Sequence, residues 1–454
     1  VYNSEGEIMK TIGILCSLFL IMYCGQNCKT QMNTKVSFGY QDKIPVWLAE
    51  NNVPAVGIGL IEDGKLKYVK VFGELQKNVP APVNTIFNIA SQTKPVVAML
   101  TLKLVSSGQW NLDEPLDKYY IDPDVLNDPR HKKLTTRHVL SHQTGFVNWR
   151  IDHPSKKLAF DFEPGTRFQY SGEGFEYLRR ALENKFHKPV EVLLGSLLFK
   201  PLGMKDTQYW SENLDMTRFA RWHDANGNEY KTSYKTDVSA ADDLLTTIED
   251  YCKFGIDVMN GAGLSATIFN DMTSPQVEVK KHYYRGLGWG LVKDLPYGEY
   301  ALEHGGSDIG VRTMAIFLPK SKRGIVVMTN GDNGMNVFNN VIKESIDIGK
   351  TILDDIYLSP SAHKIITLPG EIIEDYVGTY TQPNGRVWRI TKEDNAIRMS
   401  GDGLPTFVLY PETENKFFLK DIDAQLEFIR DENHKVTKLI TYENGKKSME
   451  AQKR

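Results

Sequence analysis

Cysteine is scarce in this chain: four in 454 residues, at positions 16, 24, 28 and 252. Cys16 and Cys24 lie in or at the edge of an N-terminal apolar run. Cys28 and Cys252 are then at most one pair, so no disulfide framework is encoded. Stability must come from a large apolar core, which this length permits. Excess charge is scarce too. Lys and Arg number 54 against 57 Asp and Glu, a net charge of −3, which gives no reason to expect nucleic acid as a partner. There is no internal repeat and no low-complexity tract. No Gly-rich segment carries a Lys-Ser/Thr pair, so a nucleotide loop is not expected. No Gly-x-Ser-x-Gly motif is present, which disfavours a serine hydrolase of the α/β-hydrolase type. His138 and His142 have helical i, i+4 spacing and are expected to share one face. Val139 stands where a zinc hydrolase needs glutamate, and no third ligand accompanies them. Packing or hydrogen bonding is the expected role, with no metal and no other cofactor.

The apolar run Thr11–Tyr23 is too short to span a bilayer and suits the core of a signal peptide, with Lys10 before it. Met9 reads as the natural start, which makes the preceding eight residues a mis-assigned leader. Cys24, followed by Gly25-Gln26-Asn27, resembles a bacterial lipoprotein cleavage site at which the cysteine receives lipid. Tyr23 fits that poorly, and a plain secretory signal reads as well. Either way residues 1–30 are expected to be a targeting segment. The protein is then expected to work outside the cytoplasm, as a periplasmic, secreted or membrane-anchored lipoprotein.

What is present centres on Phe87-Asn88-Ile89-Ala90-Ser91-Gln92-Thr93-Lys94-Pro95. This stretch joins a short apolar run to an apolar helical run, Val96–Val105. Ser91 and Lys94 are three residues apart, so on a helix both side chains share a face. A serine hydroxyl is a poor nucleophile until a base removes its proton. A lysine is such a base only when neutral, and burial beside a helix N-terminus disfavours the ammonium form. Pro95 fits a first helical turn. The spacing alone is weak: Ser361 and Lys364 repeat it in a stretch that reads as linker, and an N-cap serine with an exposed lysine would look the same.

Around that stretch, a helix is expected over 41–50 and strands over 53–61 and 65–72, closed by Asp63-Gly64 as a hairpin. Helices follow over 135–140, 174–185, 191–198, 240–260 and 335–355. Strands are expected over 286–291, 299–303, 311–318 and 324–329, the second ending in His304-Gly305-Gly306-Ser307. Strands at both ends with helices between them imply one antiparallel sheet packed against a helical region, an α+β fold. The polar, aromatic stretch 211–239 is of the kind that shapes binding sites. After a linker over 357–369, six short strands between Val387 and Tyr442 imply a small all-β barrel or sandwich over 370–454.

Ser91-x-x-Lys94, Tyr170-Ser171-Gly172 and His304-Gly305-Gly306 occur in the order and approximate spacing of the class C β-lactamase-like serine hydrolases, and residues 40–356 resemble that family. His138–Gly145 and Pro164-Gly165-Thr166 add to the match. The region of Tyr376-Val377-Gly378-Thr379-Tyr380 resembles the lipocalin-like barrel often appended to such enzymes. The resemblance implies roles. Ser91 would form an acyl-enzyme. Lys94 and Tyr170 would share general-base work, and Tyr170 would then help activate water. The oxyanion hole would be the N–H groups of Ser91 and Ser307. Gly305 and Gly306 would let substrate lie against the strand.

Two departures bear on substrate. β-Lactamases usually carry lysine where His304 stands, to hold a carboxylate; a histidine attracts an anion less but can still donate a hydrogen bond. The family often has asparagine where Gly172 stands. The resemblance therefore implies an exported hydrolase of a small ester, amide or peptide. The alternatives are a D-alanyl-D-alanine carboxypeptidase, a D-aminopeptidase or a weak β-lactamase, and, in another class, a non-catalytic binding domain on the same fold.

Overall fold

Positive φ at Asp63 (+52°) and Gly64 (+69°) closes the expected tight turn between β1 (Ala55–Glu62) and β2 (Lys65–Gln76). The computed structural model describes residues 36–232, 237–358, 363–393, 396–420, 422–443 and 445–454. The expected targeting segment over 1–30, with Cys16, Cys24 and Cys28, and Ser361 lie outside the described residues. Two short strands follow β2, β3 (Val79–Pro80) and β4 (Phe87–Asn88), and β4 pairs with β5 (Leu245–Thr246). The other strands of this part come late in the chain: β6 (Val277–Lys280), β7 (Tyr283–Arg285), β8 (Gly290–Leu295), β9 (Glu299–Asp308), β10 (Val311–Leu318) and β11 (Arg323–Thr329). They join the first hairpin in one sheet, ordered β3-β2-β1-β11-β10-β9-β8-β7-β6. The seam between the two ends is antiparallel, with Val56 opposite Thr329 and Ile61 opposite Gly324.

Both faces of this sheet are covered, so β1, β10 and β11 are buried along almost their whole length rather than at alternate residues. Ala315, Phe317, Val326 and Met328 point into one core together with α2 (Thr93–Ser106), α4 (Gly172–Phe186) and α7 (Ile248–Met259). Met314, Ile316, Ile325 and Val327 point into the other, under α1 (Ile44–Glu50), α9 (Gly334–Ser345) and α10 (Gly349–Tyr357). The helical region also holds α3 (Thr136–Leu140), α5 (Val190–Leu194), α6 (Lys200–Leu202) and α8 (Ala266–Met272). β1 reads Gly57-Ile58-Gly59 because α7 lies directly on it. A Cβ at Gly59 would stand 2.3 Å from Cys252 Sγ, and one at Gly57 2.6 Å from Ile248. Cys252 is a free thiol buried in that contact.

Several expected elements are corrected. The helix over 335–355 is two, because Ile346 is extended (φ −124°, ψ 126°) and the break lets Ile346 and Ile348 both enter the core. The helix over 240–260 starts only at Ile248, since Leu245–Thr246 is committed to β5. The strand over 286–291 begins at Gly290, and the strand ending at Glu303 continues through His304–Ser307 to Asp308. The expected linker starts one residue late, as α10 includes Tyr357.

After α11 (Gly370–Tyr376), eight strands close into a barrel: β12 (Gly378–Thr381), β13 (Val387–Glu393), β14 (Ala396–Gly401), β15 (Leu404–Pro411), β16 (Lys416–Phe418), β17 (Ala424–Arg430), β18 (Val436–Glu443) and β19 (Lys446–Lys453). The first and last strands pair through Tyr380 and Lys453. Tyr376, Trp388, Phe417 and Phe428 are buried together with the barrel's aliphatic residues, so it has a packed core. No helix among the described residues is long and apolar enough to cross a membrane.

Candidate active site

The turn that carries Ser91 is strained. Ala90 has φ +46°, a left-handed conformation that costs a residue with a Cβ, and it is fully buried. Its N–H donates to Asn88 Oδ1 at 2.7 Å, and its carbonyl accepts from Thr93 Oγ1 at 2.7 Å. A short 3-10 turn, Ala90–Gln92, therefore leads into α2, with Ser91 partly exposed at its start. Lys94 sits in the first turn of α2 and is fully buried. Its Nζ donates to Ser91 Oγ at 2.9 Å and to the Ala241 carbonyl at 2.8 Å. The Ser91–Lys94 pair expected from spacing is thus in direct contact, with the amine pinned by a second bond.

The turn is clamped onto β9. Gln92 Nε2 donates to the His304 carbonyl at 3.0 Å, and Thr313 Oγ1 to the Ile89 carbonyl at 3.3 Å. Gly306 is needed for this approach, since a Cβ there would stand 2.2 Å from Ile89 O and 2.3 Å from Thr313 Oγ1. The expected reason for this glycine, room for substrate, is corrected: the protein's own backbone fills the space. Gly305 is less constrained, its nearest neighbour lying at 3.4 Å. Ser307 is the next residue of the strand and pairs with Arg312 on β10.

Tyr170 arrives from the other side, just before α4. Lys94 Nζ lies 4.8 Å from its ring centroid, and the His304 ring 6.3 Å. His142 stacks on the phenol at 4.3 Å, planes 28° apart. The expected shared helical face of His138 and His142 is not formed. α3 ends at Leu140, and His142 lies beyond it with φ +55°, a left-handed conformation that does not continue an α-helix. His142 Nδ1 accepts from the Ser171 N–H at 3.1 Å, so its proton is on Nε2. His304 is the opposite tautomer. Its Nδ1 is 2.7 Å from the Gly305 carbonyl, which only accepts, so Nε2 is a buried lone pair without a protein partner. The expectation that His304 donates to an anion is therefore corrected.

Burial pushes both histidines well below the usual imidazole value, with the Arg285 and Lys94 charges adding to it. Unfolded, each takes up a proton as pH falls below about 6.5; folded, neither does. Stability is therefore full above that value and lost below it, each group contributing up to about 1.4 kcal/mol per pH unit. Urea midpoints measured between pH 7.5 and 5.5 are expected to be flat at first and then to fall. A flat profile through pH 6 would contradict the neutral assignment.

Sequence reasoning missed Arg285. Its guanidinium is 5.8 Å from the Tyr170 ring centroid and 3.8 Å from Glu303, a buried carboxylate that also accepts from Tyr283 Oη at 2.6 Å. Burial raises the Glu303 carboxyl, against the opposing pull of Arg285. Gly290 makes room for this pair, as a Cβ would collide with Glu303 Oε1. At Gly172 a Cβ would stand 2.8 Å from the Trp149 indole, so that ring occupies the place of a side chain at this position. Asp242, Asp243 and Asp308 bring carboxylate oxygens within 4.8 Å of one another and are the only group of described residues with the spacing to share a cation.

A family model described as Beta-lactamase matches residues 41–343, and one described as Domain of unknown function (DUF3471) matches residues 362–453. Penicillin-binding protein 4* of Bacillus subtilis (strain 168) is 23% identical over 437 residues, 85% of this chain and 92% of its own. Among solved structures, the octameric penicillin-binding protein homologue from Pyrococcus abyssi aligns with a TM-score of 0.61 at 19% identity, over 91% of this chain and 99% of that one. The D-amino acid amidase from Ochrobactrum anthropi SV3 aligns with a TM-score of 0.56 at 21% identity, over 67% and 97%. At these identities the structural likeness is one of fold.

Proposed function

This chain belongs to the β-lactamase family, whose model spans residues 41–343, and on that premise we propose that it is an exported serine hydrolase that cleaves an amide or ester through an acyl-enzyme on Ser91. The observation that carries the reading is the 2.9 Å contact between a fully buried lysine amine and a partly exposed serine hydroxyl. Lys94 and Tyr170 take the Ser91 proton as Oγ attacks the carbonyl, and the proton passes to the leaving group. Tyr170, with Lys94 4.8 Å from its ring, then helps water attack the ester. The Ser91 and Ser307 N–H groups receive the oxyanion, a role in which each donor is typically worth about 2.7–4 kcal/mol. The apolar run before Cys24 supports export.

The substrate class follows from His304. That ring is neutral and buried, so it offers no cation to hold a substrate carboxylate where β-lactamases of the family carry lysine. The site therefore favours an amide or ester without a free carboxylate beside the scissile bond, over a carboxypeptidase or β-lactam substrate. Trp149 above Gly172 also removes the space for an amide side chain there. Purified enzyme is expected to turn over D-amino-acid amides and short-chain p-nitrophenyl esters at least about tenfold faster than D-alanyl-D-alanine peptides or cephalosporins. Faster cleavage of the carboxylate-bearing compounds would refute the substrate class. Failure of any acylating probe to label the folded protein would favour a binding domain.

A further inference from the structure

Among the contacts that join the barrel to the hydrolase region is a buried knot, and that knot is built on the strand pair carrying Ser307. β9 and β10 are linked by the two-residue turn Ile309-Gly310, with Asp308 opposite Val311 and Ser307 opposite Arg312. Arg312 is 4% exposed, and its side chain ties three carbonyls together. Nη1 donates to Asp308 O at 2.5 Å and Val311 O at 2.6 Å, on either side of the turn. Nη2 donates at 2.5 Å to the carbonyl of Gly403, in the barrel's β14–β15 turn. Asp332 completes the knot. It is fully buried, lies 3.7 Å from Arg312, and accepts from the Gly310 N–H and from Tyr230 Oη, each at 2.7 Å. Tyr230 Oη in turn accepts from the Gly403 N–H at 3.3 Å. Both backbone polar groups of one barrel glycine are thus spent on the hydrolase region. Gly403 also has φ +72°, and a Cβ there would stand 2.9 Å from Ile309 Cγ1.

A turn that served only to attach the barrel has no need to reach this strand end. A buried guanidinium with three carbonyl partners and one carboxylate is rigid, and removing one partner leaves a polar group without compensation. We propose that the C-terminal barrel is a positioning element of the active site: its Gly403 turn fixes the Ile309-Gly310 turn and, through Arg312, the N–H of Ser307. Gly403 and Arg312 are positioning residues and touch no substrate. The inference rests on the acyl-enzyme reading above, in which Ser307 N–H receives the oxyanion.

The test uses full-length protein and two matched glycines. Gly403→Ala puts a methyl against Ile309. Gly445→Ala, in the β18–β19 turn, has nearly the same backbone cost (φ +70°) but nothing within 4 Å of the new carbon. Gly403→Ala is expected to lower kcat for a p-nitrophenyl ester at least about tenfold with KM within about twofold, a fraction of the roughly 10²–10³-fold loss of a whole oxyanion donor. Gly445→Ala is expected to keep kcat within about twofold. Adding Ile309→Ala to Gly403→Ala is expected to restore kcat to within about threefold of the wild type. Equal kcat in the two single variants, or an equal loss in both, would overturn the positioning role. Should Gly403→Ala not fold, Tyr230→Phe replaces it, since it removes the hydroxyl between Asp332 and Gly403 and carries the same expected loss in kcat. A wild-type enzyme that fluorophosphonate does not label at Ser91 would overturn the underlying reading instead, and mass spectrometry of the adduct separates the two failures.

Discussion

Replacing Ser91 with alanine is expected to lower kcat for any hydrolysed ester by about 10⁴- to 10⁶-fold, the scale on which nucleophile deletions act in serine hydrolases. The fold is expected to survive. Ser91 is partly exposed and, among the described residues, its Oγ bonds only to Lys94, which keeps its bond to the Ala241 carbonyl. Melting temperatures within a few degrees of the wild type would make the loss chemical rather than structural. Fluorophosphonate is expected to transfer its phosphonyl group to Ser91 Oγ with loss of fluoride and to leave Ser91→Ala untouched. Retained turnover in the alanine variant, or an adduct on another serine, would remove Ser91 from the mechanism.

Arg285→Met is expected to have the largest effect on stability. It strips Glu303, 3% exposed, of the cation beside it and leaves only the Tyr283 hydroxyl as partner. Breaking a buried pair from one side typically costs about 3–5 kcal/mol, whereas removing both charges together costs far less. The double variant Arg285→Met/Glu303→Gln is therefore expected to recover most of the loss in urea denaturation. Because Arg285 also faces the Tyr170 ring, activity is expected to stay reduced in the double variant while stability returns. Parallel recovery of both would mean that the arginine matters only to packing.

Sequence pattern carried some of this fold and not the rest, for identifiable reasons. The first hairpin was legible because Asp63-Gly64 demands the positive φ values it adopts. β10 and β11 were legible by the apolar runs over 314–318 and 325–328. β19 was not: Lys446–Lys453 is almost wholly polar, and among its residues only Ala451 is in the barrel core. β12, at four residues, is too short to show alternation. Within the site, Ser91 and Lys94 could be named from their spacing at the start of an apolar helix, and Tyr170 only through the family resemblance. Arg285 and Glu303 could not, since neither sits in a local motif and their pairing is made by three-dimensional proximity. The one local trace was Gly290, a glycine inside a strand, which reads as close approach without saying of what. The tautomers of His142 and His304 depend on backbone carbonyls and N–H groups that no side-chain pattern encodes.

The seam between β1 and β11 has a consequence for how this molecule is made. During synthesis the Ala55–Glu62 strand emerges long before Arg323–Thr329, the segment that covers its open side. Its run Ala-Val-Gly-Ile-Gly-Leu-Ile is uncharged and β-prone, so until then it is a sticky ribbon in search of any neighbour. A chain kept from pairing until its last third has been made would escape that hazard, and with it any premature chemistry, because the serine and the strand it leans on meet only then.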